Sequence, residues 1–285
     1  TAITATLTTT NGILTQNFDF AYDQTKPPTL TTPTATAVLD TTATLGANVT
    51  SENGSTVTER GTVWNTTGTP TTADNKTTTS GTTGVFTTAV SGITAGTKIY
   101  YRGYAINGVG TGYSPQGSFY TEPATGASGV NFANVNGGGM TVNWTRGSGN
   151  GVIVLRKAAA AGTGVPADGT YTTYTASPAF TSGTLIGDGY VVYKGTGTSV
   201  DVTGLAANTA YHVAVFEYSG AVDTATVDLG TNYAATAATG NQTTSAAQTI
   251  TIGDATNPAT TAVYRNETDK AVSAFTLQLT AGTGA

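Results

Sequence analysis

The sequence predicts an all-β chain of antiparallel β-sandwiches in tandem, and three observations carry that prediction. Threonine supplies 66 of the 285 residues, whereas charged residues make up only 9%. A β-branched residue suits a pleated, half-exposed surface, and so little Lys and Glu leaves few good formers for surface helices. Apolar residues recur at every second position in short stretches divided by Gly, Asn and Pro, which is the period of a half-buried strand. Twice, at 92–105 and at 204–218, an anchor (Gly92-Ile93 or Gly204-Leu205) precedes a short turn, a Thr and an alternating strand.

A sandwich crosses from one sheet to the other at such a corner, where a tyrosine hydroxyl can bond back to the corner backbone. Both stretches resemble the corner before strand F of a fibronectin type III domain, which reads Leu-x-Pro-x-Thr-x-Tyr. The second keeps Leu205, Thr209 and Tyr211. The first keeps Ile93 and Thr97 but has Ile99 at the tyrosine position, so that corner has no hydroxyl. Together with Arg60-Gly61-Thr62-Val63-Trp64 and Arg102-Gly103-Tyr104-Ala105-Ile106-Asn107, the first stretch resembles the fibronectin-type repeats of secreted bacterial surface proteins, those of Bacteroidetes in particular. That resemblance covers about 95 residues; it implies the sandwich fold and, for function, a repeat module.

In chain order, Thr1–Thr8 alternates with Ile3 and Leu7 on one face, Asn11-Gly12 marks a turn, and Phe18, Phe20 and Tyr22 alternate again. Lys26-Pro27-Pro28 stops any ladder because proline donates no hydrogen bond. Residues 1–26 are therefore expected to form a partial β unit, the end of an immunoglobulin-like domain. Residues 27–121 should form the first complete sandwich, with strands at Thr42–Val49, Val57–Trp64 and Val85–Val90 and a Gly-rich loop over 77–84. Residues 123–244 should form the second. There Met140, Val142 and Trp144 face inward, and Val152–Leu155 is apolar on both faces, as in a covered central strand. The excursion from Ala158 to Lys194 is too long for an ordinary connection and carries Tyr171, Tyr174, Phe180, Tyr190 and Tyr193, so an added hairpin lying on the sandwich is expected. Thr231–Ala234 should open the last strand, and Gln242–Ala247 should be a polar linker. Residues 245–285 read as a second partial β unit, the start of an immunoglobulin-like domain, with Phe275, Leu277 and Leu279 on one face.

Most chemistry is excluded by what the chain lacks. A net charge of −5 offers no basic patch for nucleic acid or acidic lipid. No apolar run reaches the ~20 residues of a membrane span, so no membrane insertion is expected. With no Cys and one histidine, His212, neither thiolate chemistry nor a histidine-based metal or nucleophile site has its members; His212 should be a solvated strand residue. The acids are scattered without calcium-loop spacing, although calcium at a domain junction stays open. Gly137-Gly138-Gly139 and the Gly-rich run 147–151 precede no helix and read as turns rather than phosphate cradles. No catalytic residue, cofactor or metal is expected, and the chain is not expected to be an enzyme.

Two readings of function remain. One is a building block of an extracellular fibre, filament or adhesin stalk, secreted or at the cell surface. Written end to start, Ala274–Thr280 and Thr1–Leu7 are two alternating strands around a Gly-containing connection. The joined unit resembles the short immunoglobulin-like repeats of bacterial surface proteins. Neighbouring copies would then join head to tail, covalently or by strand addition, through Ile3, Leu7, Phe18, Phe20, Phe275, Leu277 and Leu279. The alternative is a carbohydrate-binding accessory module that presents Tyr100, Tyr104, Phe216 and Tyr218 as stacking platforms for surface glycans.

Overall fold

A computed structural model of the chain describes residues 7–9, 12–14, 25–220 and 230–247. The described residues belong to one compact unit, which ends at Ala247. The described residues are all-β and antiparallel, arranged as tandem fibronectin type III-like sandwiches; their single helical piece is one 3₁₀ turn at Tyr171–Thr173. The two partial immunoglobulin-like segments expected at the ends fall mainly outside the described residues. Of the first, a short pair is described: β1 (Leu7–Thr9) runs antiparallel to β2 (Gly12–Leu14).

The first sandwich packs a three-stranded sheet on a larger one. Strands β3 (Thr29–Thr36), β4 (Thr42–Ser51) and β7 (Gly84–Ser91) form the smaller sheet in the order β3-β4-β7. Strands β5 (Glu59–Asn65), β6 (Asn75–Thr79), β8 (Lys98–Ile106), β9 (Thr111–Tyr113) and β10 (Gly117–Tyr120) form the other, in the order β10-β8-β5-β6 with β9 on the end of β8. The alternation of Ala43, Leu45, Ala47 and Val49 sends all four into the core. Gly103 is demanded by the close approach of the sheets, since a Cβ there would lie 2.2 Å from that of Ala47. Threonine is also used inside. The hydroxyls of Thr62, Thr77 and Thr88 bond to one another at 2.8–2.9 Å, so the buried Thr62 and Thr88 have partners, with half-buried Thr77 closing the triad. The Arg60 guanidinium caps carbonyls of Ser80, Thr83 and Gly84 and lies over the Phe86 ring. That grip holds the turn after β6, a strand whose last three residues, 77–79, fall in the stretch the sequence assigned to a Gly-rich loop.

The second sandwich repeats the plan. Strands β11 (Ser128–Ala133), β12 (Gly139–Thr145) and β16 (Ser199–Thr203) form one sheet. The facing sheet runs β14 (Leu185–Ile186), β15 (Gly189–Gly195), β13 (Gly151–Ala158), β17 (Ala210–Ser219) and β18 (Asn232–Tyr233), with β19 (Ala238–Thr243) also on β17. Met140, Val142 and Trp144 face the core, as their alternation requires. The last strand is β19 rather than a continuation of 231–234. Its sequence, Ala-Thr-Gly-Asn-Gln-Thr, has no bulky apolar alternation to betray it; Ala238 and Gly240 face inward, and a Cβ on Gly240 would meet Val130 and Phe132.

The excursion between β13 and β15 supplies a third layer. It lays Tyr171, Tyr174, Ala176 and Ile186 over the outer face of the larger sheet, against Ile153, Leu155, Phe216 and Tyr218. Only the two residues of β14 pair as a hairpin arm; the rest, apart from the 3₁₀ turn, is irregular chain held by side chains and by single backbone bonds such as the Thr184 amide to Thr175 O. It then bonds along the edge of β16, with the Phe180 amide donating to Thr203 O and the Thr203 amide to Pro178 O.

Candidate functional site

The corner expected at 204–211 is present. The Ala206 amide donates to the Tyr211 hydroxyl at 2.8 Å, while Ile99 holds the equivalent place in the first sandwich as a buried apolar residue. The Tyr211 ring has a second role that the sequence did not signal. Arg156, 1% exposed, lies 3.8 Å from its centroid and 5.3 Å from that of Phe180. Its Nε and Nη1 have no acceptor among the described residues, and burial holds the guanidinium down to about 10.

Of the four tyrosines and phenylalanines expected as stacking platforms, the structure leaves one accessible. Tyr104 does stand on the outer face of β8, yet it is fully buried: its hydroxyl donates to Glu59 Oε1 at 2.6 Å, and Lys76 lies over its ring. Burial, followed by that bond to Glu59, pushes the Tyr104 hydroxyl far above its ordinary range, while the Glu59 carboxyl is held low by Tyr104 and Lys76. Phe216 and Tyr218 are outward too, but the excursion covers both, Tyr171 packing on Tyr218 at 5.0 Å. These three cannot present a ring to a sugar. Tyr100 is half-buried, and it has neighbours that sequence reading missed. On the same face of the sheet stand Tyr120, opposite Lys98, and Tyr113, opposite Tyr104. Lys98 Nζ lies 5.1 Å from the Tyr100 ring and 5.9 Å from that of Tyr120; Arg102 lies 5.0 Å from that of Tyr113. The result is a face of half-exposed tyrosine rings interleaved with cations.

The second feature is the junction of the sandwiches. Glu122 joins them, and its backbone is held from the first: its amide donates to Leu39 O, and its carbonyl accepts from the Gly96 amide at 2.8 Å. Its side chain reaches the second, Oε2 accepting the Ala235 amide at 3.1 Å. In the opposite direction Asn232, 4% exposed, donates from Nδ2 to Tyr120 O at 2.8 Å and to Val38 O. The excursion braces this segment, Asp168 accepting the Tyr233 amide and Thr231 O accepting that of Gly169. Burial first, then the charges of Asp168 and Asp40, raise the Glu122 carboxyl above the usual carboxylate range against the pull of the Ala235 amide. Among the described residues no three His, Cys, Asp or Glu side chains gather as a metal site, here or elsewhere.

A cleft of about 270 Å³ opens between the excursion and the larger sheet of the second sandwich, lined by Leu155, Lys157, Gly162, His212, Ala214 and Asn241 among others. His212 is outward, as its place beside Tyr211 requires, but it sits half-buried in the wall of this cleft rather than fully solvated. Lys157 is paired to Asp188, whose carboxyl is lowered to about 2 by that contact and by the Thr163 amide.

The residues expected at a repeat junction, Ile3, Phe18, Phe20, Phe275, Leu277 and Leu279, lie outside the described residues, and of Leu7 only the backbone, in β1, is described. No protein-family model matches the chain. No curated protein matches it either. Solved structures to which it is similar include the FN1-FN3 domains of chicken CNTN1, at 14% identity over 77% of this chain and 68% of that one with a TM-score of 0.37. Another is a segment of two fibronectin type III domains from chicken tenascin, at 16% identity over 75% of this chain and 99% of that one with a TM-score of 0.34.

Proposed function

We propose that the chain is a stiff structural segment of an extracellular fibre, filament or adhesin stalk, joined head to tail to further copies through a shared immunoglobulin-like domain made from residues 245–285 of one copy and 1–26 of the next. The observation that supports stiffness is the junction. Sandwiches joined by a bare linker move independently by default. Here a single connecting glutamate is bonded to both sides, and a buried asparagine from the second sandwich holds carbonyls of the first. A segment whose task is reach gains from such a lock, because each free hinge would shorten the mean span. Among the described residues no helix is long and apolar enough to cross a membrane, and the chain carries no cysteine.

Negative-stain electron microscopy of the purified full chain tests the proposal. Filaments of regular axial repeat are expected, and deletion of residues 1–22 should abolish them while leaving the thermal melt of the central sandwiches in place. Monodisperse particles from the full chain, or filaments that survive the deletion, would overturn head-to-tail joining.

A further inference from the structure

We infer that the outer face of the larger sheet in the first sandwich is a binding surface for an acidic polysaccharide, one whose sugar units carry carboxylates. The inference is independent of whether the chain forms filaments.

Alternation along β8 puts Lys98, Tyr100, Arg102 and Tyr104 on this face in succession. Tyr104 is covered, so the accessible row runs from Lys98 to Arg102, two steps of two residues at ~3.3 Å per residue or about 13 Å, room for a short run of sugar units. Tyr120 flanks one end of the row and Tyr113 the other, with Tyr100 between them. Pyranose rings present an apolar C–H face that lies well on an aromatic face, and Tyr100, Tyr113 and Tyr120 are all half-exposed on the same side.

The charge on this face selects the kind of sugar. Lys98 and Arg102 have no carboxylate partner among the described residues, whose ion pairs lie elsewhere. Arg102 uses Nε on Ser114 O at 2.9 Å, which fixes the guanidinium over Tyr113. Acids of the same sandwich are engaged elsewhere: Glu59 accepts from Tyr104 and Lys76, Asp74 is held low by the Thr71 amide first and by Asn65, and Glu122, beyond Tyr120, accepts the Ala235 amide. In a chain of net charge −5 with eleven Lys and Arg residues, two cations without a carboxylate partner among three half-exposed tyrosines form a locally positive strip on an acidic protein. A neutral glucan would use the rings and leave both cations idle. A polyanion without rings would use the cations and leave the tyrosines idle. A polyuronate uses both, stacking its rings while its carboxylates meet Lys98 and Arg102 at short range.

The test is a binding titration of the full chain against three probes: polygalacturonate, neutral dextran and poly-glutamate. Polygalacturonate should bind most tightly, and more weakly as salt rises. Tyr100→Ala and the pair Lys98→Gln with Arg102→Gln should each weaken it by roughly tenfold or more, whereas Tyr100→Phe, which keeps the ring, should bind as the parent does. Unchanged thermal melts will show that the half-exposed variants are folded. The inference fails if polygalacturonate does not bind, if dextran or poly-glutamate binds as well as it does, or if folded Tyr100→Ala binds like the parent.

Discussion

Replacing Tyr211 by Phe isolates one hydrogen bond at the corner of the second sandwich. The substitution keeps the ring on which Arg156 and Phe180 pack and removes only the oxygen that accepts the Ala206 amide. Leaving an amide without its acceptor costs about 1–3 kcal/mol when it is fully buried. Ala206 itself is exposed, so water can partly replace the lost acceptor and the lower end applies, about 1 kcal/mol. With a urea slope of ~1–3 kcal/mol/M for a domain of this size, the midpoint should fall by roughly 0.3–1 M. The chain's two tryptophans make the assay selective: Trp64 belongs to the first sandwich and Trp144 to the second. In a Trp64→Phe background, fluorescence reports unfolding around Trp144 alone. Ile99→Leu, a near-isosteric swap at the matching corner of the first sandwich, should move the Trp64 transition less in a Trp144→Phe background. Equal shifts in the two transitions, or no shift for Tyr211→Phe, would refute the corner argument.

Three further outcomes are expected. Glu122→Gln should raise the melting temperature at pH 7. Its folded carboxyl is shifted upward, so the folded state holds the proton more strongly; the wild-type protein has its full stability below the unfolded pKa, ~4.3, and loses part of it as pH climbs through the folded value. The glutamine should thus show no gain near pH 3 and a growing one above pH 5; a constant difference would contradict it. Arg156→Met should stabilise the second sandwich. A buried cation whose Nη2 has only the weak Met140 sulfur as acceptor among the described residues costs several kcal/mol, more than the ~2 kcal/mol that stacking on Tyr211 returns, so a rise of at least ~2 °C is expected, and a fall would contradict this accounting. EDTA should leave the melt within a few degrees of its original position, and a larger drop would reveal a calcium site.

What could be read from the sequence was what a strand writes into its own residues. The alternations at Thr42–Val49 and Met140–Thr145 place their side chains as the structure has them, and Tyr211 with Leu205 and Thr209 marks its corner. Burial of outward residues is a different matter, because it depends on chain far away. Phe216 and Tyr218 point where the alternation sends them, and it is Tyr171, some forty-five residues earlier, that shuts them from solvent. The strand β19 escaped because its core-facing positions are the small residues Ala238 and Gly240 followed by Gln242, and the others are polar. Tyr113 and Tyr120 escaped for another reason: they sit in strands of three and four residues, too short to show a period, and join Tyr100 only through cross-strand register.

The excursion that covers Phe216 and Tyr218 also bears on how the chain would take tension. Asp168 and Gly169 hold the same short segment, 231–233, from which Asn232 grips the first sandwich. A pull that separates the sandwiches therefore loads the excursion as well as the junction, and Asn232 cannot swing free while Tyr233 stays packed on Tyr218. Under load the two should yield together, as one event rather than as a loose hinge followed by a domain. In a pulling experiment the junction would add no soft, low-force extension before the first sandwich opens.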